Sequence, residues 1–296
     1  MRKRCALRFT PYVSLITRIN GEYQMPIYVQ YYFWLVAISA FCFVLERLKP
    51  WRPEQKAFRN GFWQDVFWLI FNGHYVGVII AIVSGKLIQL LNTFLYNLGL
   101  PVPESLALMQ GTPLWLQFAV FFVVKDFIEW NIHRMLHRVS WLWEFHKLHH
   151  SIEELDWIGN MRFHWMEAVI YKSISYFPLV VLGVDTNVIF IIAIIGTLIG
   201  HLNHSNLSIS WGPLKYLLNS PRMHVWHHDV VVRGKGGQNF GITLSVWDWL
   251  FGTAYLPEKG QPERLGFAGM ESFPRHLIGR LFYPFYKWMP TIGNRK

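Results

Sequence analysis

Eleven of the 13 histidines in this 296-residue chain fall between residues 133 and 228, and their spacing repeats. His133 and His137 stand four apart, and His201 and His204 stand three apart. His146, His149 and His150 form HxxHH, and His224, His227 and His228 form it again. Residues three or four apart share one face of a helix, so each group can aim its imidazoles into a single pocket. A lone HxxxH is a weak sign of metal binding, whereas a solvated or pH-sensing cluster would have no reason to repeat its spacing. These imidazoles exceed the roughly four to six ligands that one first-row ion accepts, which points to two metals with about five nitrogens each. Imidazole suits iron, zinc, copper and nickel alike. A ligating imidazole also needs its second nitrogen held. Asp126, Glu144, Glu153, Glu154, Asp156, Glu167 and Asp229 are near enough in sequence to hold one. His164 fits a supporting role as well as ligation, and His74 and His276 read as ordinary residues.

The elements that must carry these groups read as membrane helices. Hydrophobic residues make up 52% of the chain and charged residues 16%, against about 25% charged in soluble domains. The 15 Trp, 13 Tyr and 23 Phe suit a chain with many residues at membrane–water interfaces. Residues 27–45 are apolar and about long enough to span, at ~1.5 Å per residue across ~30 Å. A second run covers 62–83, with Asp65 and His74 inside it. A third opens at 114–124 and continues as helix to His137, so that Asp126, Trp130, His133 and His137 form one stripe. Two short runs, 168–182 and 187–200, meet at 183–186 and read as a tilted pair or a hairpin. A hairpin returns the chain to the side it left, so every histidine group falls on one face of the membrane. Lys and Arg are frequent around them, which makes that face cytoplasmic. The expected fold is an all-α integral membrane protein: transmembrane helices plus a short helical hairpin, with a cytosolic helical cap holding a dimetal site. The expected divisions are a basic extension (1–26), a transmembrane region (27–111), a catalytic domain (112–255) and a basic tail (256–296). The first 25 residues lack an apolar core and cleavage site, so no cleavable signal peptide is read.

Composition narrows the chemistry further. The net charge of +10 sits mainly between apolar runs, where anionic headgroups rather than nucleic acid explain it. Two cysteines, Cys5 and Cys42, make no CxxC, which argues against thiol chemistry and iron–sulfur ligation. No Ser–His–Asp or Cys–His arrangement points to nucleophilic catalysis.

Six strings, taken in order, resemble the fatty acid hydroxylase / sterol desaturase superfamily. They are DFIEWNIHRMLHR (126–138), WEFHKLHHSIEELD (143–156), RFHWMEA (162–168), HLNHSN (201–206), SPRMHVWHHD (220–229) and QNFGITLSVWDWLFGT (238–253). RFHWMEA departs from many relatives in having Trp165 where they carry Pro. The resemblance implies a non-haem di-iron enzyme, a monooxygenase-type oxidoreductase that hydroxylates or desaturates a membrane lipid, sterol-like or fatty-acyl, with O2 as co-substrate. It implies two iron ions held by His133, His137, His146, His149, His150, His201, His204, His224, His227 and His228. The chain shows no flavin, haem or iron–sulfur motif, so electrons are expected from a separate reductase or carrier.

Asp126, Asn203 and Asn239 are the expected catalytic-site residues, grouped with Asp248 as side chains that orient ligands or brace the cap; helix capping is the plainer alternative. Trp130, Trp141, Trp143, Trp157 and Trp226 fit a tunnel mouth for the lipid, and interface anchoring better still. Two other classes compete. A zinc-dependent membrane lipid hydrolase or isomerase would normally use three protein ligands and leave a position open. A metal transporter would spread its histidines through the span.

Overall fold

Backbone that crosses hydrocarbon must satisfy its own polar groups, and the apolar runs of this chain do so as helices. The structure, a computed structural model, describes residues 30–100 and 108–288. The expected extension at 1–26, with Cys5, and the end of the expected tail lie outside the described residues. In chain order the main helices are α1 (Tyr31–Leu48), α2 (Phe62–Ile70), α3 (Gly77–Asn97), α4 (Leu114–Arg138), α5 (Ser140–His150), α6 (Trp165–Val181), α7 (Thr186–His204), α8 (Pro221–His227) and α9 (Val246–Leu250). Among the described residues there are no strands, only two isolated bridges, Leu218 with Leu244 and Asp229 with Leu265.

Among the described residues two helices, α1 and α7, are long and apolar enough to cross a membrane. They lie against each other, with the Tyr31 hydroxyl 2.6 Å from Thr197 Oγ1. The expected hairpin is α6 and α7, but α7 runs past residue 200, so His201 and His204 belong to its last turn. Asp185 starts α7 by accepting the Asn187 N–H at 2.8 Å, and Gly183 supplies a left-handed turn before it. The second apolar run stays helical without a break: α2 passes after Ile70 into a π turn at Phe71–Val76 and continues as α3. Asn72, in that π turn, donates to the carbonyls of Met161 (3.0 Å) and Phe163 (2.8 Å). The turn is therefore fixed by the cap rather than by the membrane. Phe121, Leu179, Val184, Val188 and Ile192 close the far end of α4, α6 and α7 into one apolar cluster.

Above the helices, α5, α8 and the segments 151–164 and 205–267 form the cap. Residues from both flanks of 112–255 are built into it. Glu46, at the end of α1, accepts the N–H groups of Trp157 and Asn206, each at 2.8 Å. Gly266 donates its N–H to the His228 carbonyl at 2.9 Å. Four buried charges tie α2 to the segment after α5. Arg59 reaches Asp65 (2.7 Å) and Asp156 (2.5 Å), while Arg162 reaches both oxygens of Asp65 (2.5 and 2.8 Å). Buried ions persist only when paired and hydrogen-bonded in this way. Gly61 makes room for the network, since a Cβ there would stand 2.8 Å from Arg162 Nη2.

Candidate metal centre

The two HxxHH motifs are interleaved. His133, His137, His146, His150 and His227 converge as one group, and His149, His204, His224 and His228 as a second, with ligand atoms in each within 4.8 Å of one another. On α5, His146 and His150 are four apart and enter the five-histidine group, while His149, three from the first, turns to the other. On α8 the allocation reverses: His224 and the residue that ends the helix, His228, enter the four-histidine group and His227 crosses over. Ser220 and Pro221 fix where α8 begins, Ser220 accepting the Met223 N–H at 3.2 Å. The two groups are neighbours: the rings of His150 and His228 stack at 4.6 Å.

Four of the nine second nitrogens are held by backbone carbonyls. His133 Nδ1 donates to Phe240 O (2.8 Å), His227 Nδ1 to Gln238 O (2.8 Å), His149 Nδ1 to Arg162 O (3.1 Å) and His204 Nδ1 to Gly200 O (2.8 Å). Of the carboxylates named from the sequence, Glu167 stands at a ligand, with Oε2 3.0 Å from His146 Nδ1. Asp156 pairs with Arg59, Asp229 with Arg233, and Glu144 with Lys147 and Lys287.

These bonds decide the tautomers. A carbonyl can only accept, so the Nδ1 facing it carries the hydrogen and Nε2 is a bare lone pair. In the four-histidine group, His149 and His204 are both of this kind, and their Nε2 atoms stand 3.2 Å apart. The other Nε2 pairs fall at 3.1 Å (His204–His224, His150–His137, His150–His227), 3.2 Å (His133–His146) and 3.3 Å (His224–His228). Lone pairs repel at that distance unless a cation lies between them. Protonation does not supply it: burial holds the imidazoles of His146, His149, His150, His224, His227 and His228 well below their ordinary pKa, and neighbouring histidines add to this. Imidazole nitrogens ~2.1 Å from a zinc-sized ion stand ~3.0 to ~3.4 Å apart at octahedral and tetrahedral angles. Both groups therefore fit a metal ion.

Nine of the ten histidines expected as ligands lie in these groups, and His201 does not. Its Nδ1 is 2.9 Å from Asn160 Nδ2 and its Nε2 3.3 Å from Ser39 Oγ. With Asn160 donating to Nδ1, the Nε2 hydrogen points at Ser39, and neither nitrogen is left for a metal. Gly200 permits this, since any Cβ there would meet the Asn160 amide at 2.8 Å. His164 is likewise occupied, its Nε2 3.0 Å from Leu281 O and its Nδ1 accepting the Met166 N–H at 3.1 Å.

Asp126, Asn203, Asn239 and Asp248 surround the segment that carries the Gln238 and Phe240 carbonyls, and none caps a helix. Asp126 accepts from Thr243 N (3.0 Å) and Trp247 Nε1 (2.8 Å). Asn203 donates to Ile242 O at 2.8 Å. Asn239 donates to Met223 O and Tyr255 O, each at 2.7 Å, from a left-handed backbone (φ 56). Asp248 gathers Trp130 Nε1 (3.0 Å), Phe240 N (2.9 Å), Gly241 N (2.7 Å) and Thr253 Oγ1 (2.6 Å). Gly241 has to be glycine, because the Leu244 carbonyl oxygen lies 2.5 Å from where a Cβ would stand. These residues brace, through the backbone, the segment that the His133 and His227 rings bond. Trp130 is fully buried and Trp141 exposed, while Trp143 covers His137 (5.0 Å) and His150 (5.2 Å). Arg59, Asp65, Arg162 and Asn160 were missed from the sequence; no spacing rule marks them, although charges inside or beside apolar runs are a general warning of buried pairing.

The fatty acid hydroxylase family matches residues 118–253. The chain is similar to the ornithine lipid hydroxylase OlsE of Rhizobium tropici, 32% identical over 58% of this chain and 51% of that one. It is similar to the alkylglycerol monooxygenase of Xenopus tropicalis, 30% identical over 47% of this chain and 30% of the relative. The methylsterol monooxygenase 1-3 of Arabidopsis thaliana is 23% identical over 52% of this chain and 51% of its own. The chain thus spans about half, or less, of the length of these curated relatives. No solved structure matches it. All nine converging histidines lie inside the segment, residues 118–253, that matches the fatty acid hydroxylase family.

Proposed function

We propose that this protein is a multi-pass membrane oxygenase that hydroxylates a lipid, using O2 and two iron ions held by the two histidine groups. The observation that carries the reading is the pair of adjacent all-imidazole groups with their lone pairs converging. Two redox ions there would supply the reduction of O2 needed to oxidise an unactivated C–H bond, which acid–base chemistry alone does not attack. His133, His137, His146, His150 and His227 would hold one ion, and His149, His204, His224 and His228 the other. The carbonyls of Phe240, Gln238, Arg162 and Gly200 keep four of these rings in the ligating tautomer. Trp143 and the buried cap exclude water from the rings.

The hydroxylase and monooxygenase names of the relatives favour hydroxylation over desaturation. His133, His137 and His204 sit at the last turns of α4 and α7, and the Lys and Arg around them favour the cytoplasmic face for the site. Electrons then arrive from a separate cytoplasmic or membrane-bound carrier. The test is metal analysis of the full chain, paired with mass spectrometry of lipid extracts made with and without the intact gene. A gain of one oxygen in a lipid, dependent on iron and O2, is the expected result. Zinc with O2-independent turnover, or a purified chain with no transition metal, would overturn the reading.

A further inference from the structure

The nine converging histidines are not equally sealed: eight are buried and His137 is half-buried. A loop rich in glycine covers it. Gly234, Gly236 and Gly237 all adopt left-handed backbone (φ 62, 93 and 118), a conformation that favours glycine and so leaves the loop without side chains at those points. A Cβ at Gly237 would stand 3.1 Å from the Phe240 ring and 3.7 Å from His137 Nδ1. Here the protein is one backbone thick over a ligand of the five-histidine group.

The rim of this thin spot is basic. Arg134 and Arg138 stand four apart on α4, with His137 between them in sequence. Arg138 lies against the loop, its Cγ 3.1 Å from where a Cβ on Gly236 would be, and Lys235 is the residue before that glycine. Arg138 and Lys235 are exposed and Arg134 is half-buried. Among the described residues no carboxylate comes within ion-pair distance of any of the three. Asp229 and Asp248, on either side of the loop in sequence, are buried and engaged, the first by Arg233 and the second by Trp130 and the Phe240 and Gly241 N–H groups. Like charges four apart on a helix repel, so Arg134 and Arg138 carry a cost that an acidic partner would relieve.

We propose that this patch is where the electron carrier docks, and that the carrier is an acidic, one-electron protein. Its carboxylates face Arg134, Arg138 and Lys235, and its redox group comes to rest over the Gly236–Gly237 backbone, above His137. The proposal rests on the oxygenase reading and names the partner of that site. Each docking oxidises the carrier by one electron and reduces the metal of the five-histidine group by one. Hydroxylation of a lipid RH consumes O2, two electrons and two protons and gives ROH and H2O, so two dockings serve one turnover. A patch of this kind suits a weak, transient partner, since electron-transfer encounters bury less than ~1,200 Å². Charges at such a rim act chiefly on the rate of encounter and on its salt dependence.

The test uses the full-length, iron-loaded chain in detergent, without O2. Its reduction is timed with two donors: reduced plant-type ferredoxin, an acidic protein, and the light-generated 5-deazariboflavin radical, which is small and neutral. The ferredoxin rate should fall at least ~10-fold as salt rises from ~20 to ~300 mM, and the deazariboflavin rate should not follow it. Arg138→Glu/Lys235→Glu should lower the ratio of the ferredoxin rate to the deazariboflavin rate by ~10-fold or more at low salt. The ratio discounts any effect of the substitutions on the metal itself. Lys49→Glu/Lys56→Glu, the same change of charge at exposed sites between α1 and α2, should keep the wild-type ratio. Carbodiimide should join Lys235 to a ferredoxin carboxylate. A ferredoxin rate indifferent to salt, an equal loss in both double variants, or no link at Lys235 (the outcome if lipid headgroups cover the patch) would overturn the proposal. Iron content and O2-dependent lipid oxidation driven by the neutral donor report the oxygenase reading separately. A chain that oxidises lipid with that donor, yet meets ferredoxin without regard to charge, refutes the docking assignment alone.

Discussion

The two histidine groups are built from the same motifs but are braced from opposite ends of the chain. The five-histidine group leans on the segment after α8, where Asp126, Asn239 and Asp248 hold the backbone that offers the Gln238 and Phe240 carbonyls. The four-histidine group leans on Arg162 and Gly200, and behind Arg162 on Asp65 and Arg59 from the N-terminal region. One is held by neutral backbone contacts gathered around a carboxylate, the other by a closed network of buried ions. The first also includes the one partly buried ligand, His137, while every histidine of the second is buried. Ligands that are neighbours in sequence can therefore differ in everything that supports them. His149→Ala and His150→Ala are the strongest tests. Each should abolish turnover, the first removing the metal of the four-histidine group and the second that of the five-histidine group. Metal counts by mass spectrometry should fall from two per chain to one in both. Full activity in either variant would contradict the assignment.

Next in size is Asp65→Ala. It strands Arg162, and leaves Arg59 with Asp156 alone, in a site where their side chains are almost fully buried. Removing one partner of a buried ion pair costs ~3–5 kcal/mol, because the remaining charge is left uncompensated. A drop of that size in unfolding free energy should accompany weaker binding at the four-histidine group. Asp248→Ala acts on the other side. It deprives Trp130 Nε1 and the Phe240 and Gly241 N–H groups of their acceptor, and loss of outer support typically costs ~10–100-fold in metal affinity. Titration with Fe(II) should show that loss at the five-histidine group alone. If both variants weakened both ions equally, the two supports would not be separable, and the groups would act as a single unit.

Much of this was legible in the sequence, for a physical reason. Helical spacing of three and four is a local rule, so the HxxxH and HxxHH groups carry their geometry with them, and nine of the ten expected ligands converge. The helical character of 114–138 and the 165–204 hairpin followed from apolar runs that leave the backbone no other choice. Long-range support was not legible. Nothing near Arg162 in sequence announces Asp65, 97 residues away. The π turn within the second apolar run likewise left no mark, because hydropathy does not register a turn pinned by Asn72 to carbonyls at 161 and 163. Carboxylates were expected behind the ligands, yet one, Glu167, stands there against four backbone carbonyls. A carbonyl is present at every residue, and only the fold says which one points at a ring.

His201 shows the same limit and offers the mildest test. By spacing it pairs with His204 as well as any ligand in the chain, and three residues on a helix do share a face. What separates them is the partner each nitrogen meets. His204 Nδ1 bonds the Gly200 carbonyl, which frees Nε2 for a metal, whereas both His201 nitrogens are taken by Asn160 and Ser39. His201→Ala should therefore retain both ions. It leaves the Asn160 amide without its acceptor and opens a void between α1 and α7, for a loss of ~1–3 kcal/mol. Turnover should fall modestly, by way of a looser α7 beneath His204. Loss of one ion in His201→Ala, at protein stability otherwise equal to that of Asp248→Ala, would instead return His201 to the ligand set and make the two groups equal in number.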